Sequence, residues 1–177
     1  MESIATKKPS ECSESELEDF ASLILAGGEV TEHGLKARIK KAEALIFLIQ
    51  DNCLKGIAAV KNPEENYKNG VFQKARATVQ GSVFPFELGW VFVLPSSRGV
   101  GFSHKLVKAA LTATCGQGIF ATSRSDNAAM HKVLKAHGFS CHGEAYVSSR
   151  GKHKLVLFVS NAAQRGAPAD VPKAAGH

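Results

Sequence analysis

The chain has 177 residues, 44% of them hydrophobic and 21% charged, with a formal net charge of +6, which suits one globular core better than a disordered chain. Its longest apolar runs, residues 20–26 and 44–49, fall far short of the ~20 residues a membrane span needs, and the opening MESIATKKPSE has no secretory apolar region, so a cytoplasmic protein without a membrane partner is expected. Residues 1–32 hold eight acids against two lysines, while the rest of the chain is basic; that suits an anionic ligand, but no basic run is interleaved with aromatics as a single-strand binder requires, so nucleic acid is not the expected partner.

Residues 3–6 read as a short first strand. Ser13-Glu14-Ser15-Glu16 then supplies a cap and first-turn acids for a helix that ends at Gly27-Gly28, and a short second helix is expected over residues 33–42. Residues 45–50 and 54–60 form a hairpin turning at Asp51-Asn52-Cys53, and residues 62–69 are polar and turn-rich. Residues 83–94 alternate as a long strand, with Phe84, Phe86, Leu88, Trp90 and Phe92 on one face and Glu87, Gly89, Val91 and Val93 on the other.

A helix from Gly101 to about Cys115 carries Phe102, Leu106, Ala110 and Ala113 as a stripe and stops at Gly116-Gln117-Gly118, before a buried strand over residues 119–123. Asp126 or Ser125 caps a further helix whose apolar positions Met130, Val133, Leu134 and His137 keep helical spacing up to Gly138. Residues 139–148 and 154–160 read as two closing strands around a Ser149-Arg150-Gly151 turn. One domain is expected over residues 1–162, with a small-residue, proline-rich tail disordered over 163–177. Cys12, Cys53, Cys115 and Cys141 lack the spacing of a metal or redox motif. The element order makes an α/β fold on a mixed sheet with a parallel crossover.

The segment FPFELGWVFVLPSSRGVGFSHKLVKAAL joins a strand to a helix through a glycine-rich turn, where unpaired N–H groups and the helix dipole favour an anion. A Walker phosphate loop is excluded, because Ser103-His104-Lys105 stands where Gly-Lys-Ser/Thr is required. A dinucleotide fingerprint fails as well: His104 replaces its third glycine, and no acid follows ~20 residues on.

Arg98-Gly99-Val100-Gly101-Phe102-Ser103 resembles the Arg/Gln-x-x-Gly-x-Gly/Ala signature of the GNAT-type N-acetyltransferases, with serine at the last position. A second match follows in order: Asn127 leads a helix that closes with Gly138-Phe139. The resemblance covers residues 83–160. It implies the GNAT acyltransferase fold, with about six to seven strands, flanking helices and a splayed parallel strand pair. It also implies acetyl-CoA as co-substrate and a small-molecule or protein amine as acceptor attacked directly in a ternary complex, and it allows a homodimer through the closing strands. The same fold also allows a non-catalytic acetyl-CoA-binding or partner-binding module.

Position by position, the resemblance implies that Val91, Phe92 and Val93 face the pantetheine arm. It further implies that the N–H groups of Arg98, Gly99, Val100, Gly101, Phe102 and Ser103 hold the pyrophosphate, and that the Asn127 side chain bonds the arm. The alternatives are that Asn127 is a simple helix cap, that the two glycines are turn residues, and that Arg98 is a surface charge. Glu87, an acid among apolar strand neighbours on the face of Val91 and Val93, is the candidate base, with a raised pKa expected; a solvated strand acid is the alternative. The tyrosine that protonates the leaving thiolate in the family is replaced by Leu134, which leaves Tyr146 or His131 as the acid, or solvent alone.

Overall fold

The computed structural model describes residues 1–161; the tail expected over 163–177 lies outside the described residues. The strands are β1 (Glu2–Lys7), β2 (Ala44–Gln50), β3 (Cys53–Lys61), β4 (Phe86–Val93), β5 (Ile119–Arg124), β6 (Ser140–Val147) and β7 (Lys154–Ser160). They form one sheet in the order β1-β2-β3-β4-β5-β7-β6, antiparallel except between β4 and β5. The helices are α1 (Glu14–Ala26), α2 (Leu35–Lys40), α3 (Glu65–Lys74), α4 (Phe102–Ala113) and α5 (Ala128–Ala136). The mixed α/β architecture read from the element order is therefore present, and no helix among the described residues is long and apolar enough to cross a membrane.

Alternation along β2 divides the core. Ala44, Ile46 and Leu48 join Phe102, Leu106 and Ala110 of α4, and Val133 and Leu134 of α5, on one side of the sheet. Leu45 and Phe47 meet Leu17, Phe20 and Ile24 of α1, and Leu35 and Ile39 of α2, on the other. Both faces of the central strands are buried, so they read as continuous apolar runs rather than as alternation. The β2–β3 turn needs left-handed backbone at two successive residues, and Asp51 (φ 51°) and Asn52 (φ 58°) supply it.

Three expectations change. Residues 62–69 are not merely a turn: α3 begins at Glu65, and Val71 and Phe72 pack with Phe84, Phe120 and Leu157 in a third cluster. Its sequence is polar because only a narrow stripe is buried, which hides it from a periodicity reading. The long strand starts at Phe86 rather than at residue 83, after a tight turn at Gly81–Val83. The cap of α5 is Asn127, whose Oδ1 accepts the Met130 N–H at 3.1 Å, rather than Asp126 or Ser125.

The α3 cluster is locked to β6 at one point. Gly143 sits in the irregular stretch of β6 between His142 and Tyr146 at φ 73°, and the next N–H, from Glu144, donates to the Ala75 carbonyl at 2.7 Å. A Cβ at position 143 would fall on that carbonyl oxygen. Gly143→Ala must therefore strain the backbone and push α3 off the sheet. We expect a loss of about 2 kcal/mol or more, read as a lower urea midpoint; an unchanged midpoint would mean that this contact contributes nothing.

Candidate functional site

Strands β4 and β5 share only two register pairs, Phe86 with Ile119 and Glu87 with Phe120. Beyond them β5 continues its pairing with β7 while β4 stays with β3, so the two strands part and the β5-facing edge of residues 88–93 meets no strand. This is the splayed parallel pair expected from the motifs. A bulge accompanies it. Ile57 pairs with Phe92 and Ala59 with Gly89, so Trp90 and Val91 together stand opposite Ala58, and Trp90 takes a left-handed φ of 52°.

The bulge reverses the facing of the strand. Val91 and Val93 join Leu88 on the α4 side, whereas Trp90 and Phe92 join the α1 side. The expectation that Phe86, Leu88, Trp90 and Phe92 share one face is thus wrong, as is the placement of Glu87 beside Val91 and Val93. One extra residue shifts a period-2 pattern by half a period.

The turn after β4 leads into an open cavity of about 400 Å³ lined by Val93, Ser97, Arg98, Gly99, Gly101, Phe102, Ser103, His104 and Val133. Gly99 (φ 85°) and Gly101 (φ 83°) hold left-handed conformations that bulkier residues resist. Gly101 is the N-cap of α4, and no side chain caps it. The N–H groups of His104 and Lys105 turn back to the Gly101 carbonyl, while those of Phe102 and Ser103 have no intrahelical acceptor.

Not every expected donor is available. The Arg98 N–H closes a turn onto the Pro95 carbonyl at 3.4 Å, and the Arg98 side chain donates through Nε to the Val93 carbonyl at 3.1 Å with its guanidinium over the Phe92 ring. Arg98 therefore clasps the end of β4. Val100 is exposed on the outside of the turn, and the Phe102 side chain is buried in the core.

Glu87 lies where the strands part, on the opposite side of the sheet from Val91 and Val93, and is 4% exposed. Its neighbours are not merely apolar, as the sequence suggested. Lys61, its register partner on β3, donates to Oε2 at 2.8 Å, and the Tyr67 hydroxyl from α3 donates to Oε1 at 2.9 Å. The Lys61 ammonium also lies 5.1 Å from the centre of the Trp90 ring. The Tyr67 ring edge is exposed while its hydroxyl turns inward; burial, then the Glu87 carboxylate, push its pKa far above the usual tyrosine value.

Tyr146 on β6 feels the same carboxylate. Burial first, then Glu87, push its pKa up to about 12, and its buried hydroxyl has no hydrogen-bond partner among the described residues. His131 is occupied elsewhere: its Nε2 lies 2.9 Å from the Arg124 carbonyl and its ring packs on Phe158. Leu134 is 1% exposed, a core residue of α5. The Asn127 oxygen is used by the cap, which leaves its amide N–H groups as donors at the end of β5. Sequence reasoning missed Lys61 and Ser123. Lys61 becomes visible only through the β3–β4 register, and Ser123, two residues beyond Ala121 on β5, holds a buried hydroxyl without a hydrogen-bond partner among the described residues.

No protein-family model matches the sequence, and no curated protein matches it. The structure does have close counterparts in shape. It is similar to Escherichia coli ElaA, with a TM-score of 0.67 at 15% identity over 91% of this chain and 100% of the other. It is similar to Salmonella typhimurium yncA, whose structure holds its cofactor acetyl-CoA, with a TM-score of 0.63 at 16% identity over 97% and 99%. A GNAT-family acetyltransferase from Bacillus cereus gives 0.63 at 17% identity over 91% and 97%. At these identities the likeness establishes the fold, which is that of the GNAT acyltransferases.

The two tyrosines, the only ones in the chain, test the buried side of the site. Both are held neutral in the folded protein with pKa values raised above the unfolded value of about 10. Their contribution to stability is thus complete below pH 10 and declines above it, for Tyr146 being lost as pH rises through about 12 and for Tyr67 at higher pH still. Tyrosinate absorbance should show no step at pH 10, and the urea midpoint should fall between pH 10 and 12; a step at pH 10 would place one hydroxyl in solvent.

Proposed function

We propose that this chain is an N-acetyltransferase that moves the acetyl group of acetyl-CoA to a primary amine by direct attack in a ternary complex. The observation that carries the reading is the parting of β4 from β5 directly between a buried carboxylate, Glu87, and an uncapped helix start at Gly101. The residues fit the co-substrate: a strand edge without a partner suits the amides of a pantetheine arm, and the left-handed glycines with the free N–H groups of Phe102 and Ser103 suit its phosphates. The acetyl-CoA bound to yncA supports the same reading for a protein of this fold.

Acetyl-CoA supplies a thioester whose carbonyl carbon accepts the lone pair of a neutral amine. The protein's part is to hold the arm on the edge of Val91, Phe92 and Val93, where a backbone N–H polarises the carbonyl oxygen. Asn127 donates its amide N–H groups to the arm. Glu87 takes the proton from the incoming amine, which displaces the Lys61 ammonium from Oε2. Tyr146, whose hydroxyl has no partner among the described residues, gives a proton to the departing thiolate and is reprotonated from solvent, while Glu87 releases the amine proton to solvent and regains Lys61.

A second reading is a module of the same fold that binds acetyl-CoA without transferring its acetyl group. Leu134 favours it, because a buried leucine stands where the family's thiolate-protonating tyrosine would be, and so does the occupation of both Glu87 oxygens. Calorimetric titration with acetyl-CoA, followed by CoA release across an amine panel, separates the two. Transfer predicts binding and release, and Glu87→Gln then lowers kcat by about 10²-fold or more with acetyl-CoA affinity unchanged. Binding without release with any amine supports the module, and an unchanged rate removes Glu87 from the chemistry. Gly101→Trp should lose at least about tenfold in acetyl-CoA affinity with its urea midpoint checked in parallel; full affinity in the folded variant would put the ligand elsewhere.

A further inference from the structure

Beside the cavity, a histidine of α4 meets the histidine that ends α5. His104 is the third residue of α4 and lines the cavity with Arg98, Gly99, Gly101 and Ser103. Its Nδ1 lies 3.2 Å from Nε2 of His137, which follows α5, and the two rings are 5.3 Å apart at 51°. Neither ring enters the acetyl-transfer chemistry, and neither is hydrogen-bonded to a carboxylate among the described residues.

We propose that the His104–His137 pair is a proton-linked contact for the diphosphate of the CoA nucleotide, taking up one proton as the phosphates settle at the start of α4. The proposal rests on the acetyl-CoA reading above. An N···N hydrogen bond needs one proton between the rings, and it survives with both imidazoles neutral or with one of them cationic. With both cationic, two N–H groups face each other and the bond is lost. The pair therefore has room for a single added proton, which belongs to the two rings jointly.

The surroundings decide when that proton arrives. In the free protein the charged side chains that accompany the pair along the two helices and the cavity are basic. Lys108 of α4 sits near His137, Arg98 lines the same cavity, and Lys135 lies in the last turn of α5. Lys105, next to His104, is already tied to Glu2 of β1. Burial, then His104 and Lys108, hold His137 below the usual imidazole range. The start of α4 adds positive potential at His104, whereas the end of α5 favours a cation at His137. A diphosphate beside His104 reverses this balance and stabilises the singly protonated pair, so binding strengthens as pH falls from neutrality.

The test uses dephospho-CoA, whose diphosphate carries no group that titrates near neutrality, so any proton taken up belongs to the protein. Calorimetric titration of the full chain in two buffers of different ionisation enthalpy, between pH 6 and 8, should show fractional proton uptake and an affinity that falls about three- to tenfold across that interval. In His104→Gln and in His137→Gln the buffer dependence should vanish and the affinity should become flat with pH. Equal enthalpies in both buffers in the native protein, or unchanged proton uptake in both variants, would overturn the pair and leave the acetyl-CoA reading standing. Absence of binding by both dephospho-CoA and acetyl-CoA would overturn both.

Discussion

The structure depends on the loss of pairing between β4 and β5 after Glu87. A sheet normally satisfies every backbone group of an interior strand, and an interior edge left open is disfavoured unless something else fills it. Here both strands keep their outer partners, β4 with β3 and β5 with β7, so the opening costs the protein only the bonds that residues 88–93 would have made across the gap. Those groups are fixed in direction by the rest of the sheet. They are therefore preorganised, and under the proposed function an extended, amide-bearing ligand takes the place of the missing strand segment.

The bulge at Trp90 decides how the opening is used. It returns Val91 and Val93 to the α4 side, in line with the glycine turn and the start of α4, and leaves Glu87, Lys61, Trp90 and Tyr67 on the side of α1 and α3. The glycine turn with the start of α4 and the acid-bearing region thus lie on opposite sides of one strand, joined through the gap. Such a separation suits two ligands that meet from opposite sides. The left-handed φ of Trp90 is held by its packing on Phe20, whose ring is 6.3 Å away edge-on, and by the Lys61 ammonium above it.

Much of this was legible in the sequence, for local reasons. The helix periods of α1, α4 and α5, the Asp51-Asn52 turn and the two closing strands follow from patterns that act within a few residues. The glycines at 99 and 101 are read in the same way, because left-handed turns are local requirements, whereas which of three adjacent capping residues closes the start of α5 is decided by one or two residues of helix phase. The polar α3 escaped, since its helix is stabilised by packing of Val71 and Phe72 rather than by its own pattern. The surroundings of Glu87 escaped for a different reason: Lys61 and Tyr67 are 26 and 20 residues away, and nothing local announces that they will converge.

The sequence by itself determined the order of elements, the chemistry of the turn into α4 and the presence of one acid on the central strand. Each of these is set by torsional preference or by residue type at a single place in the chain. Only the tertiary structure decided where that acid faces, what holds it, and which side chains meet beside the cavity. A one-residue bulge inverts a strand without altering its composition, and the meetings of Glu87 with Lys61 and Tyr67, or of His104 with His137, are made by packing between elements far apart in the chain.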